Sequence, residues 1–146
     1  MPTGELMAAG LRQLVTVDHT FGDGPPPFNR YLVLDTTDPQ AGAGSGDGRA
    51  RPLTAAERDA IDAALDPLGL VEFINEPDDW RTPELVPTIK GSVILGVGEP
   101  TIEDGSALVP VSLWCGGLCG TWLTYRVELA DGTWSVTGIE GPVAMS

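Results

Sequence analysis

The chain has 146 residues, a usual length for one domain, and 42% of them are hydrophobic, so wholesale disorder is not expected. Its 21 acidic and 8 basic residues give a net charge of −13, which argues against proteins that hold nucleic acids or anionic membranes through lysine and arginine. No apolar run approaches the roughly 18 residues of a membrane span. The first residues lack the basic start of an export signal, so we expect a cytoplasmic protein.

Two helices are predicted in the first half of the chain. Apolar residues recur at helical spacing from about Leu6 to Val17, and Thr3 is a suitable N-cap for this helix. Thr54 and Glu57 form the pattern of a capping box, in which each satisfies a free backbone N–H of the other. Apolar residues follow this capping box on one face, so a second helix is expected there.

Short apolar runs predict two buried strands, Tyr31–Leu34 and Val71–Ile74. Between them, the segment 38–52 is dense in glycine and alanine and poor in bulky side chains. Such a segment cannot bury enough apolar area to offset the entropy lost on ordering it. We therefore expect a flexible Gly/Ala-rich loop at 38–52 within a single domain that spans 1–146.

From Gly91 onward, apolar and polar residues alternate in four runs that turn signals separate. Asp104-Gly105 and Asp131-Gly132 are typical of tight turns between paired strands. This part predicts a four-stranded antiparallel meander. With the two helices, the expected fold is α+β, a single curved antiparallel sheet packed against the helices, without the βαβ alternation of nucleotide-binding folds.

The turn in the middle of the meander has the sequence Cys115-Gly-Gly-Leu-Cys119. Two cysteines on either side of a three-residue turn can face each other across a hairpin, within the Cα separation that a disulfide prefers. Three interpretations stay open: reduced thiols that pack as small apolar side chains, a disulfide that closes the hairpin, and a redox pair. We expect the cysteines to lie close enough to bridge.

Two tryptophans flank this turn, on the strand faces opposite to Leu113 and Leu123. If no helix covers their face, they form an exposed aromatic patch, which is typical of a binding surface; otherwise they belong to the core. The predicted binding residues are Trp114, Cys115, Cys119, Trp122 and Tyr125.

The sequence contains no recognisable catalytic or metal-binding motif. Two cysteines and His19 fall short of the four ligands of a structural zinc site, so no metal is predicted. His19 is expected at the surface or at a helix end. Phosphate-binding loops and nucleophile elbows are absent, so the catalytic residues stay unknown and no cofactor is expected. In an enzyme, Tyr125, Arg126, Asp104 and His19 would be the polar residues of an otherwise apolar pocket.

The C-terminal third, with its C-G-x-L-C-G hairpin and its closing Gly132-Thr-Trp134-Ser-Val136 strand, resembles small actinobacterial and other bacterial α+β proteins of unassigned function. The closing strand is also similar to the last strand of cone-shaped α+β proteins of the cystatin or nuclear-transport-factor-2 (NTF2-like) type. The resemblance implies a fold of that kind, and it carries no catalytic residue over to this chain.

These observations favour a soluble, acidic, non-catalytic binding or accessory protein. Its partner would be a protein or a small apolar ligand, and neither nucleic acid nor a membrane is expected. Two alternatives stay open. One is a small pocket enzyme of the NTF2-like type that acts on an apolar metabolite, and the other is a thiol redox protein that uses Cys115 and Cys119.

Overall fold

Two helices and eight strands make up the part of the chain that the structure, a computed structural model, describes: residues 3–19, 28–42, 49–80, 91–116 and 119–145. The elements in chain order are α1 (Thr3–Thr16), β1 (Arg30–Leu34), α2 (Ala55–Leu65), β2 (Leu70–Ile74), a 3-10 helix (Pro77–Trp80), β3 (Ser92–Val97), β4 (Thr101–Glu103), β5 (Ser106–Gly116), β6 (Cys119–Ala130), β7 (Thr133–Ile139) and β8 (Ala144–Met145).

The predicted capping box at the start of α2 is confirmed. The Thr54 hydroxyl accepts from the Glu57 N–H at 3.1 Å, and the Glu57 carboxylate accepts from the Thr54 N–H at 2.9 Å. Thr3 is the first residue of α1 rather than its N-cap. Its hydroxyl donates to Glu57 Oε2 at 2.7 Å, which ties the start of α1 to the start of α2.

The sheet has the strand order β2-β1-β3-β5-β6-β7. This order confirms the predicted meander, because β3, β5, β6 and β7 are successive antiparallel neighbours. Two short strands add to the prediction, since β4 pairs with β5 and β8 pairs with β6.

The α+β class is confirmed, but the sheet is mixed rather than wholly antiparallel. β1 runs parallel to both of its neighbours, with Arg30 opposite Leu70 on β2 and opposite Ser92 on β3. Because α2 connects β1 to β2, the chain contains one βαβ unit, contrary to the expectation. The three central residues of β1 are all buried, which is typical of a strand covered on both faces in a parallel arrangement.

The main core lies between the helices and one face of the sheet. α1 crosses β3, β5, β6 and β7, and α2 packs against α1 and β2. α1 lies close to the sheet at Gly10, where an added Cβ would come within 3.1 Å of Val109. Fully buried side chains from both layers include Leu6, Leu14, Ile61, Leu65, Tyr31 and Val93.

The opposite face of the sheet, here called the outer face, carries a smaller apolar cluster over β1, β2 and β3. Its buried members are Leu32, Ile74 and Ile94. Partly buried side chains that pack against them are Leu34, Trp80 and Trp114. The cluster therefore covers this part of the outer face, while β6 and β7 lie beyond it.

The segment 38–52, expected to be a flexible loop, is hydrogen-bonded to the rest of the chain at its described ends. The Asp38 N–H donates to the Val97 carbonyl at 2.8 Å, and the Gly42 N–H donates to the Val111 carbonyl at 3.1 Å. At the other end, the Thr37 N–H donates to the Arg51 carbonyl at 2.8 Å. Residues 43–48 lie outside the described part, so the flexibility of the middle of this loop stays a prediction.

Candidate functional site

The two tryptophans that flank the cysteine turn share the outer face. Trp114 on β5 is opposite Gly120 on β6, and Trp122 on β6 is opposite Ser112 on β5. Directly opposite residues point to the same face of a sheet, so the two indoles are diagonal neighbours. Both are partly exposed, whereas Leu113 is buried beneath the helices. The predicted placement of the tryptophans on the strand faces opposite to Leu113 and Leu123 is confirmed.

Cys115 and Cys119 lie at disulfide distance, with their Cα atoms 5.1 Å apart. The register of β5 against β6 shifts between Trp114 and Gly116, so Cys115 occupies a bulge beside the turn. The prediction that the cysteines lie close enough to bridge is confirmed, and this proximity favours the hairpin-closing disulfide among the three interpretations. Residues 117 and 118, at the tip of the turn, lie outside the described part.

The two tryptophans differ in how the rest of the chain holds them. Trp114 packs against the outer-face cluster, beside Ile94, which is its partner on β3. Trp122 packs against neither apolar cluster of the described residues. Its indole is partly exposed on a strand that a disulfide anchors at its start. We call Trp114, Trp122 and the two cysteines the hairpin surface.

Tyr125 does not belong to this surface. Its side chain is fully buried on the helix-facing side of β6, and its hydroxyl donates to Asp18 Oδ2 at 2.6 Å. Burial, reinforced by the hydrogen bond to Asp18, raises the pKa of the Tyr125 phenol, so the group stays neutral and acts as a donor. The sequence contains the signal for this placement, because Tyr125 alternates in phase with Leu123 and Val127.

The other polar candidates lie apart from one another. His19 is 1% exposed and follows the end of α1 by three residues, so of the two expected placements, the surface and a helix end, it is not at the surface. Arg126 is exposed on the outer face and pairs with Glu140 at 2.6 Å. Asp104 lies in the exposed turn between β4 and β5. The described residues therefore bring no two of these three side chains into a common pocket.

An ion cluster that the sequence did not predict lies where the two helices begin. Arg51 donates two hydrogen bonds to the Glu57 carboxylate, both at 2.8 Å, and two to the Glu99 carboxylate at 3.0 and 2.7 Å. These residues line an open cleft of about 520 Å³ together with Thr3 and Thr54. Arg51 was missed because it lies in the segment expected to be flexible.

The charge states of Arg51 and Glu57 are those expected of a stabilising ion pair rather than of catalytic groups. The hydrogen bonds from Arg51 lower the pKa of Glu57 to about 2, against the desolvation that would raise it. A general acid or base needs a pKa near the working pH, so Glu57 is poorly suited to proton transfer. The same hydrogen bonds raise the pKa of Arg51 and occupy its donors. The cluster joins α1, α2, the end of the 38–52 segment and the loop after β3.

Among the described residues, no cluster of three or more histidine, cysteine or acidic side chains is placed to hold a metal ion. Neither described helix is long and apolar enough to cross a bilayer.

The comparisons with known proteins are negative. No family model matches the chain, and no curated protein or solved structure is detectably similar to it. The resemblance to cystatin-type and NTF2-like proteins therefore stays a prediction, and any function must be argued from the geometry of the chain itself.

Proposed function

We propose that the protein is a non-catalytic binding or accessory protein, and that its hairpin surface contacts a protein partner with a basic surface. The observation that carries the proposal is Trp122, a large aromatic side chain that stays partly exposed and packs against neither apolar cluster of the described residues. Tryptophan is strongly enriched among the residues that dominate the energy of protein interfaces.

The local framework supports this role by fixing the hairpin from which the Trp122 indole projects. The disulfide closes the hairpin next to Trp114, and Trp114 is itself packed against the outer-face cluster. A surface that is already ordered loses less conformational entropy on binding than a mobile one. The hairpin surface therefore presents its aromatic side chains at low entropic cost.

The net charge supports a basic partner. At −13, the chain attracts positively charged proteins over distances of about one Debye length and repels acidic ones. Complementary charge of this kind raises the rate of encounter more than the final affinity. The partner is therefore expected to combine basic residues with an apolar contact for the indole.

The enzyme and redox alternatives have less support in the described residues. Among the described residues, fully buried apolar side chains from both layers pack between the helices and the sheet. Glu57, the carboxylate with a perturbed pKa, lies in an open cleft and is ion-paired rather than poised for catalysis. The cysteine pair lies on a β-hairpin, away from the helix N-terminus that activates typical redox thiols.

A cytoplasmic location also stays a proposal. Disulfides are uncommon in reducing compartments, so a bridge between Cys115 and Cys119 would argue against a cytoplasmic location. Alkylation of the protein inside intact cells, followed by mass measurement, distinguishes a reducing from an oxidising compartment. Two alkylated cysteines indicate a reducing compartment, and two unmodified, bridged cysteines indicate an oxidising one.

A peptide array tests the proposed function. The array varies the number of basic and apolar residues, and it is probed with the wild-type chain, with Trp122→Leu and with Leu129→Ser. Leu129 is a matched control, because it is 44% exposed but lies on the helix-facing side of β6. We expect basic peptides with an apolar residue to bind the wild type and Leu129→Ser, and to bind Trp122→Leu at least about fivefold more weakly.

Two results would overturn the proposal. One is equal binding by wild type and Trp122→Leu, which would show that the hairpin surface does not contact the peptide. The other is binding of acidic or neutral peptides in preference to basic ones, which would show that the partner is not basic.

A further inference from the structure

We infer that the hairpin surface holds a cationic side chain of the partner, an arginine or lysine, between the Trp122 indole and the Asp38 carboxylate. This inference rests on the proposed function and adds the residue chemistry that the surface recognises. It depends on the place of Asp38 on the outer face, on the strand register that brings it near Trp122, and on the bonding capacity that its carboxylate retains.

The Asp38 carboxylate lies directly on the outer face. Asp38 follows β1, and its N–H donates to the Val97 carbonyl, so the chain crosses the end of β3 at this point. Beneath it, Gly96 has no side chain: a Cβ added there would lie 2.7 Å from Asp38 Oδ2 and 2.7 Å from the Ser112 hydroxyl. Any larger residue at position 96 would displace the carboxylate, so the glycine makes room for it.

One residue separates this carboxylate from Trp122. Gly96 pairs with Ser112 across β3 and β5, and Ser112 pairs with Trp122 across β5 and β6. Side chains directly opposite each other on antiparallel strands have Cβ atoms about 5 Å apart. The Ser112 hydroxyl lies 3.5 Å from Asp38 Oδ2. The carboxylate and the indole thus stand on either side of a small serine side chain.

The segment after Asp38 continues along the same side of Trp122. An added Cβ on Gly42 would lie 3.0 Å from the Thr124 hydroxyl, and Thr124 is the next outer-face residue along β6. Residues 38–42 therefore run over the outer face next to Trp122, from Asp38 above β3 to Gly42 beside Thr124.

The Asp38 carboxylate still has bonding capacity. It accepts from the Gln40 N–H at 2.9 Å and lies within reach of the Ser112 hydroxyl, while a carboxylate has about four acceptor positions. No basic side chain of the described residues pairs with it. The carboxylates of Glu57 and Glu140, by contrast, are paired with arginines of the chain.

An arginine or lysine of the partner would use both groups. A guanidinium or ammonium ion is attracted to the face of an indole, and the carboxylate supplies the opposite charge and hydrogen-bond acceptors. Arginine suits the arrangement better, because its planar group stacks on an aromatic ring while its edge donates to a carboxylate.

The test uses three blocked hexapeptides as probes: hexa-arginine, hexa-lysine and hexa-citrulline, the last being an uncharged analogue of arginine. Binding is measured by calorimetry and by tryptophan fluorescence at physiological salt. The variants are Trp122→Leu, Asp38→Asn and Asp59→Asn. Asp59 is an exposed acid on α2, which lies on the other side of the sheet from the outer face, and its replacement changes the net charge by the same amount.

We expect hexa-arginine to bind the wild type, and to bind Asp38→Asn and Trp122→Leu about fivefold more weakly, as the loss of one cation–π or charge-assisted contact predicts. Asp59→Asn should weaken binding by less than about twofold, because an exposed remote charge is screened. Hexa-lysine should bind more weakly than hexa-arginine, and hexa-citrulline should not bind. Circular dichroism checks that each variant is folded; Asp38→Asn keeps the side-chain oxygen that Gln40 needs.

Equal effects of Asp38→Asn and Asp59→Asn would overturn the inference, because binding would then follow net charge alone. The proposed function would survive that result if Trp122→Leu still weakened binding on the peptide array. If Trp122→Leu has no effect in either assay, both the inference and the proposed function fail.

Discussion

Replacing Glu57 by glutamine is expected to destabilise the protein by about 3 kcal/mol at neutral pH. The pKa of Glu57 falls from its ordinary 4.5 to about 2, and each unit corresponds to about 1.4 kcal/mol of preference for the charged form. The side chain of Glu57 is 3% exposed and that of Arg51 is 34% exposed, so solvent at the arginine end screens part of the interaction and brings the value to about 3 kcal/mol. This lies at the low end of the cost of removing one partner from a buried ion pair, about 3–5 kcal/mol.

The pH dependence of this contribution has a definite sign. Because the pKa of Glu57 is lower in the folded state, the stabilisation is complete above about pH 4.5, the value of the unfolded chain. It is lost as the pH falls towards about 2, where the folded carboxylate takes up its proton. Urea denaturation of wild type and Glu57→Gln, at steps from pH 7 to pH 3, should therefore show a difference that shrinks below about pH 4.5.

Glu99→Gln is the matched control, since Glu99 binds the same arginine but its side chain is 59% exposed. Its replacement should cost less than about 1 kcal/mol, as is usual for exposed ion pairs. The reasoning is refuted if the two variants lose equal stability, or if the loss in Glu57→Gln does not change between pH 7 and pH 3.

Three further outcomes are expected. Replacing both Cys115 and Cys119 by serine should lower the free energy of unfolding by only about 1–2 kcal/mol in urea titrations, because the bridge closes a short loop. Reductant should destabilise the wild type by the same amount. If neither treatment changes the stability, the cysteines are not bridged. Tyr125→Phe should lower the free energy of unfolding by about 2 kcal/mol, because the hydrogen bond from the hydroxyl to Asp18 is lost. An unchanged stability would show that this hydrogen bond does not stabilise the fold. Gly69→Ala should lower the melting temperature, since the added Cβ would lie 2.6 Å from the backbone carbonyl oxygen of Asn29, which cannot move away as a side chain could. An unchanged melting temperature would contradict this contact.

The meander could be predicted because its signals are local. Alternation places Val109, Val111 and Leu123 on one face, and Asp131-Gly132 marks the turn from β6 to β7, so the strands and their buried faces follow from neighbouring residues. The capping box of α2 is local in the same sense, since Thr54 and Glu57 are three residues apart.

The parallel pairing of β1 could not be predicted in this way. Strand direction depends on which distant segments meet, and a five-residue strand such as Arg30–Leu34 carries no signal for its neighbours. The Arg51 cluster was missed for a related reason: it joins residues 48 positions apart in sequence, and no short pattern links Arg51 to Glu99.

The candidate site was predictable in part. The positions of Trp114 and Trp122 relative to the turn placed them on one face of a hairpin, and the structure confirms this. Asp38 could not be connected to them from the sequence. It reaches the outer face only because the chain crosses β3 over Gly96, and that crossing depends on tertiary contacts.

The position of β1 between two strands that follow it in the chain has a consequence for synthesis on the ribosome. β1 emerges early, but its neighbours Leu70–Ile74 and Ser92–Val97 emerge later. Until then the N–H and C=O groups along both edges of β1 have no strand to pair with, and its apolar side chains are uncovered. Every hairpin of the meander, by contrast, closes as soon as its second strand is made. The nascent chain is therefore most exposed to aggregation before β3 appears, and a chaperone that shields the first ninety or so residues would act during that interval.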